Sequence, residues 1–345
     1  MLLEALRQAW PPFVLVASLL VIGAVAHRDG LFDRLGAGLE NLPGPPAVLF
    51  AAACGLLAVV TALLNLDTAV VFVMPVVVLA ARRRGVEATA FVYASLFMVN
   101  ASSLYLPGSN LTNLLVLAGQ PPAGSFAGRM LAPALAATLV TAVGLGVVFR
   151  SGLIAAGEPT APGGAGRLGG AGALGALAAA VLMVLFANPA LPVAAVAGIV
   201  AALAIRRGEL TARDALEAIS PQVLVLLLGV AVALGVLARV WHGPQQLLAH
   251  AGSAETAALA ATSTVLVNNL PAAVLLSAHA VPHPRALIIG LNLGPNLAVT
   301  GSLAAFLWIR TAAQLDVATS VARLSRIGIM LAPLAIAAAL LAAGA

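Results

Sequence analysis

Apolar residues run along this chain in blocks of membrane length, and polar residues interrupt those blocks at their middles as well as at their ends. A helix needs about 20 predominantly apolar residues to cross the hydrocarbon core of a bilayer. The blocks therefore predict crossings, and the interruptions are what must be explained. Pro11 to Ala26 predicts the first span. Gly30 to Glu40 puts Leu31, Phe32, Leu35 and Leu39 on one helical face, with Asp33, Arg34 and Glu40 elsewhere, as in a helix lying in the interface. Ala47 to Leu64 and Ala69 to Ala81 flank Asn65-Leu66-Asp67-Thr68. The second limb is too short to cross alone, so 47–81 predicts a re-entrant hairpin with Asp67 at its tip. Residues 86–118 are too long for one plain span and carry Asn100 to Asn113, NASSLYLPGSNLTN, at their middle, which predicts a broken helix. Met130 to Phe149 is a plain span. Residues 150–172 are rich in Gly, Ala and Pro and predict a linker. Residues 173–205, cut by Asn188 to Pro192, predict two short scaffold spans, and Arg206 to Glu217 a polar loop.

The pattern then recurs. Val223 to Ala238 predicts a span and Trp241 to His250 an interfacial piece. Residues 254–281 predict a second hairpin around Asn268-Asn269-Leu270-Pro271. Residues 286–309 predict a second broken helix around Asn292 to Ser302, NLGPNLAVTGS, and Ile327 to Leu341 the last span. Breaking a helix at membrane depth frees backbone groups at several kcal/mol each, tolerable only where protein or water supplies partners. Such breaks mark transport sites. Gly108-Ser109-Asn110-Leu111 matches Gly294-Pro295-Asn296-Leu297 locally, and Asn65 and Asn268 each open a hairpin tip. The fold expected is an all-α polytopic membrane protein built from repeats at 10–149 and 219–343, with about eight crossings and two hairpins. Five crossings separate equivalent starts, an odd number, so the repeats are inverted.

Composition supports this. Of 345 residues, 62% are hydrophobic and 8% charged, with a mean hydropathy of +1.08, too little polar sequence to cover a soluble surface. All 17 basic residues are Arg. The predicted topology puts 13 of the 17 on one side and 4 (Arg7, Arg129, Arg239, Arg285) on the other, so the Arg-rich side is cytoplasmic and both termini face outward from a cell (inner) membrane. The balance reflects orientation, not nucleic-acid binding. No cleavage pattern follows the first apolar run. Cys54 is the single cysteine, which excludes intrachain disulfides and a multi-thiolate metal site. Neither a metal nor another cofactor is expected.

Four stretches resemble a known family. Leu64 to Pro75, Pro107 to Leu115, Val267 to Leu276 and Asn292 to Trp308 are similar, in order, to the two hairpins and two broken helices of the ArsB-type arsenical pump membrane proteins of the ion transporter superfamily. The resemblance implies a secondary transporter, not an enzyme, that exports arsenite or antimonite in exchange for protons. It also implies a homodimer and, in some members, an arsenite-stimulated ATPase partner. This chain has no phosphate-binding G-x-x-x-x-G-K-[ST] of its own. One departure is that superfamily members carry two further scaffold spans before the first repeat. The same superfamily holds dicarboxylate/anion carriers and sodium/proton transporters, which form the alternative. A non-transporting scaffold or an intramembrane enzyme stands further off, since Asp67 has no companion carboxylate or histidine in its segment.

Neutral trihydroxylated arsenite calls for hydrogen-bonding groups instead of a fixed charge. Asn65, Thr68, Asn110, Thr112, Asn113, Asn268, Asn269, Asn292, Asn296, Thr300 and Ser302 supply them as candidate substrate-binding residues. The competing role for the asparagines is capping half-helices. Asp67 is the only carboxylate inside an apolar segment and is the candidate proton-coupling group, a role compatible with capping the second limb. Ser102 and Ser103 suit helix–helix contacts, and Arg82 to Arg84 suit topology anchors. The five histidines fall at span ends and predict interfacial positions.

Overall fold

The computed structural model describes residues 1–120, 125–154, 170–186 and 188–344, with helices and connections but no strand among them. The first half runs α1 (Leu2–Arg28), α2 (Leu31–Glu40) and α3 (Pro46–Leu63). Then α4 (Leu66–Thr68) continues through a π turn (Ala69–Val73) into α5 (Met74–Arg83), completing the first hairpin. A broken helix follows as α6 (Thr89–Ser102) and α7 (Leu111–Ala118), and α8 (Phe126–Val148) ends the half. Next come α9 (Ala171–Leu185), α10 (Ala190–Arg206) and α11 (Ala212–Ile219). The second half is α12 (Pro221–Val240), α13 (Gly243–Ala249), the hairpin α14 (Ser253–Val267) and α15 (Asn269–Ser277), the broken helix α16 (Pro284–Leu293) and α17 (Leu303–Gln314), and α18 (Val321–Ala342). Among the described residues five helical stretches are long and apolar enough to cross a membrane, with the shorter apolar α6, α9 and α10 beside them, so the chain is an all-helical polytopic membrane protein.

Several elements differ from the sequence expectation. The first span is longer, because α1 carries Pro11 and Pro12 inside it. Two adjacent prolines forgo the bonds to the carbonyls of Arg7 and Gln8 while the helix continues through them. The first tip is tighter: Leu64 and Asn65 make the turn, and Asp67 already lies in the first helical turn of the second limb. The expected polar loop contains α11, whose start is fixed by a capping box in which Asp214 N donates to Thr211 Oγ1 and Thr211 N to Asp214 Oδ2, both 3.0 Å. Of the expected linker, 155–169 lie outside the described residues.

Packing explains the burial pattern. α1 is wedged between α9, α10 and α12 and buries Leu15, Leu19, Ile22, Val25 and Ala26. At its end Asp29 Oδ2 accepts a 2.6 Å bond from Gly172 N at the start of α9. α12 fully buries only Ala231, Gly235 and Ala238, the small residues that allow close helix approach, packs Leu224, Leu227, Leu228, Val232 and Leu234 partly against the core, and exposes Val225, Leu226, Val230 and Leu237 on its other face. First limbs pack on the first segment of the broken helix in their own half, α3 on α6 and α14 on α16. Second limbs cross over: α15 packs on α7, and α4 with its π turn packs on α17. The two halves are thereby interlocked.

Contacts at the two ends of the bundle sort the arginines. At one end Arg28 meets Asp214 at 3.2 Å, and Arg323 lies over the rings of Tyr93 and Phe149. The Arg82–Arg84 triplet sits at that end too, and each member is engaged. Arg82 donates to Leu315 O at the end of α17 (2.5 Å), Arg83 pairs with Glu40 (2.5 Å), and Arg84 donates to the carbonyls of Leu42 and Gly44. The triplet fastens the end of α5 to α17, to α2 and to the connection between α2 and α3. At the other end Arg239 donates to Gln8 (2.7 Å), and Arg285 to Ala343 O (2.8 Å), so both chain ends lie there.

Candidate substrate site at the hairpin tips and helix breaks

Each tip and each break begins a half-helix, and three of the four beginnings carry an asparagine side-chain cap. Asn65 Oδ1 accepts from Thr68 N at 2.7 Å, opening the second limb of hairpin one. Asn110 Oδ1 accepts from Thr112 N at 3.1 Å, opening α7. Asn268 Oδ1 accepts from Leu270 N at 3.4 Å, opening α15, with Asn268 itself at φ +74° and ψ 154°, a backbone that glycine adopts far more readily than any other residue. Ser302, buried and extended, stands at the start of α17. The four starts are two matching pairs.

The breaks correspond in a register that local sequence matching missed. Asn110 and Ser302 both follow a 3-10 turn (Pro107–Ser109 and Val299–Gly301), both are extended, and both start the second half-helix. Asn110 is therefore the counterpart of Ser302, not of Asn296. An extra 3-10 turn, Gly294–Leu297, lengthens the second break and shifts the Gly-x-Asn-Leu similarity out of step. A second correspondence joins each tip to the break in its own half. Ser109 Oγ donates to Ala62 O (3.1 Å), and Thr300 Oγ1 donates to Val265 O (2.9 Å). Each accepting carbonyl lies three residues before the tip asparagine, in the last turn of a first limb, where helix carbonyls lack intrahelical partners.

Between the breaks lies a buried asparagine network. Asn292 Oδ1 accepts from Asn110 Nδ2 (2.7 Å) and Ser103 Oγ (2.5 Å), while Asn292 Nδ2 donates to Asn113 Oδ1 (2.7 Å) and Ile288 O (2.8 Å). Asn100 Nδ2 donates to Asn296 Oδ1 (2.8 Å), and Asn296 Nδ2 to Phe97 O (3.3 Å). Asn113 Nδ2 closes the loop on Ser103 O (2.7 Å). Of the sequence candidates, the structure brings Asn110, Asn113, Asn292 and Asn296 into direct or shared contact. Asn100 and Ser103 complete the network without having been candidates; their signal was their place inside the polar middle of a membrane-length block.

The remaining candidates divide between the tips. Asn65 and Thr68 are buried at tip one, where Asn65 Nδ2 and Thr68 Oγ1 have no hydrogen-bond partner. The hydroxyls of Thr61, Ser102, Thr112 and Ser302 are buried and unpaired as well. Buried polar groups are normally paired, so these groups at the tips and breaks stand out. Asp67 is half-buried and, among the described residues, makes no hydrogen bond or ion pair. At tip two, Asn268 Nδ2 donates to Thr300 O (3.0 Å), Asn269 is buried, and Thr300 is exposed. Among the described residues no group of three metal-ligating side chains occurs, and Asp67 is the one charged residue at either tip or break.

Two re-entrant tips with polar caps, facing two helix breaks within an all-helical polytopic chain, define a secondary membrane transporter. The family model of the citrate transporters (CitMHS) matches residues 5–292, most of the chain, and the chain belongs to that family. The motif resemblance to the arsenical pump proteins thus reached the right kind of carrier, but the family match lies elsewhere. The solved structure of the Alcanivorax borkumensis YdaH transporter, reported to have an unusual topology, is similar in fold, with a TM-score of 0.65 at 17% identity, covering 99% of this chain and 86% of that one. No relative among curated proteins matches the sequence.

Proposed function

We propose that this protein carries a small carboxylate anion across the membrane, with the hairpin tips and helix breaks as its substrate site and Asp67 as the proton-coupling group. This is the anion alternative of the sequence reading. Membership of the citrate transporter family supports it over arsenite or antimonite export, for which the resemblance of the four stretches remains the sole argument. The observation that carries the proposal is the set of four half-helix starts, three capped by Asn65, Asn110 and Asn268 and the fourth opened by the unpaired Ser302, at linked tips and breaks. Free N–H groups and the positive end of the helix dipole favour an anion there without any basic side chain. The unpaired hydroxyls and the Asn65 amide add neutral donors. An anion held this way is released more readily than one locked by arginine, as a carrier requires.

Asp67 fits coupling because it sits in the first turn of a second limb, beside the substrate groups, with no fixed partner among the described residues. A carboxylate free to gain and lose a proton at that position links anion occupancy to protonation. The orientation follows the arginine count, with both chain ends outside. The test is uptake of citrate, succinate, arsenite and antimonite into proteoliposomes under an imposed proton gradient, for wild type and Asp67→Asn. Expected is accumulation of a carboxylate in wild type, and in Asp67→Asn transport that no longer responds to the gradient while the variant elutes normally. Accumulation of arsenite without any carboxylate would overturn the substrate class. An Asp67→Asn variant that still accumulates substrate against its gradient would overturn the coupling role.

A further inference from the structure

Near the end of the bundle that carries both chain ends, one side chain of α1 reaches two half-helices at once. Gln8 Nε2 donates to Leu115 O of α7 and to Ser277 O of α15, each at 3.2 Å. Its Oε1 accepts from Arg239 of α12 at 2.7 Å, and Arg239 is held in turn by Gly235 O at 2.7 Å. Arginine only donates and carbonyls only accept, so these partners fix which way the Gln8 amide points. Both carbonyls lie in the last turn of their half-helix, where the partner four residues on is missing. Gly119 N bonds Val116 O instead of Leu115 O, and Val281 N bonds the Gln120 side chain instead of Ser277 O. Gln8 supplies both absent donors.

The two half-helices arrive at Gln8 as one unit. A Cβ on Gly119 would lie 2.1 Å from Ser277 O, so the end of α7 sits directly on the end of α15. Gln120 adds bonds to His279 O (3.3 Å) and from Val281 N (3.0 Å). From their caps at Asn110 and Asn268 the helices have 8 and 9 residues, about 12 and 14 Å at 1.5 Å per residue, so a shift at Gln8 is carried to the substrate site. Between this unit and α1 with α12 runs a seam of small apolar residues. Its cavity, about 10 Å³, holds one water at most, and Gln8 is the one polar side chain lining it. Apolar contacts of this kind are non-directional and tolerate sliding. The hydrogen bonds of Gln8 are directional and do not.

Carriers built from inverted repeats work by moving one bundle against another around a site. We propose that Gln8, oriented by Arg239, is a positioning residue that latches the joined ends of α7 and α15 to α1 and α12. Both of its bonds to those ends part when the substrate-bearing half-helices move. The latch rests on the transporter reading above, but not on which solute is carried.

The experiment follows opening of the seam by thiol labelling. Val274 of α15 is buried and lines the seam with Gly235 of α12, and Cys54 is the single cysteine. Purified full-length Val274→Cys in a Cys54→Ala background is therefore labelled in detergent with a fluorescent maleimide, alone and combined with Gln8→Leu, Gln8→Glu or Gln120→Ala. Gln8→Glu matches glutamine in size and keeps the acceptor for Arg239, but loses the donors to both carbonyls. Expected is labelling at least about fivefold faster in both Gln8 variants, the least that losing two ordinary hydrogen bonds should produce. Gln120→Ala, which loosens α7 from α15 but not from α1, should label like the parent. Parent-like labelling in Gln8→Glu overturns the proposal, as does equal acceleration in Gln120→Ala. If Gln8→Glu loses the parent elution profile, Gln8 is a folding residue and the latch is again overturned. No solute enters the measurement, so a failed latch and a failed substrate class are told apart.

Discussion

Replacing Asn292 with leucine tests whether the two helix breaks are held to each other by the asparagine network. The side chain is fully buried and makes four hydrogen bonds, to Asn110, Ser103, Asn113 and Ile288 O. Leucine matches the side chain in heavy-atom count and branching, is bulkier by its two methyl groups, and removes all four bonds. Ser103 Oγ retains Asn100 O (2.7 Å), and Ile288 O lies within the helix, so these two partners are compensated. Asn110 Nδ2 and Asn113 Oδ1 lose their one side-chain partner and remain buried. At about 1–3 kcal/mol for each stranded group the cost is about 2–6 kcal/mol. In a bilayer the unfolded reference also finds partners, and measured interhelical bonds average only about 0.6 kcal/mol, which sets a floor near 1 kcal/mol. We expect about 2–4 kcal/mol, measured by denaturant unfolding in mixed micelles followed by circular dichroism. Asn110→Ala combined with Asn292→Leu should cost less than the sum of the single changes, with a coupling of at least about 1 kcal/mol. A loss below about 0.5 kcal/mol for Asn292→Leu, or strict additivity of the pair, would refute the network as the link between the breaks.

Two further outcomes follow from packing and from charge. A Cβ on Gly328 would overlap the carbonyl oxygen of Asn296, so Gly328→Ala must push α18 away from the second break and should sharply reduce the folded fraction recovered by gel filtration. Gly229→Ala, with open space around it on α12, should be neutral or stabilising by up to about 1 kcal/mol in the same assay. The Asp214 carboxyl is held below its usual range, first by the Thr211 backbone N–H, then by the Thr211 side chain, with Arg28 and Arg213 nearby. A lowered folded-state value means that the cap contributes above the ordinary carboxylate range near pH 4 and is lost as pH falls through the folded-state value. Amide-exchange protection of 212–219, corrected for intrinsic rates, should therefore drop on acidification in wild type and be low and pH-independent in Asp214→Asn.

Hydrophobic blocks and their interruptions were enough to place the long helices, their polar turns and their breaks. Block length against bilayer thickness is a one-dimensional constraint, and in a membrane it decides most of the architecture. Polar middles such as Asn100 to Asn113 and Asn292 to Ser302 were legible as breaks, because backbone freed at that depth demands partners nearby. The α11 capping box was legible too, in Thr211 and Asp214, but lay in a stretch whose polarity read as loop.

Only the tertiary structure decided which polar groups answer one another. Asn292 reaches across to Asn110 and Asn113, far away in the chain, and nothing in its local sequence separates that role from capping its own half-helix. The pairing of Asn110 with Ser302 depends on backbone conformation, which an inserted 3-10 turn hid from residue matching. The crossing of second limbs onto the opposite half and the engaged Arg82–Arg84 triplet are likewise long-range. The chain's own order sets what can enter the membrane and where it must bend. Which side chains meet once it has bent is set by packing in three dimensions, where contacts between distant residues carry no local signature.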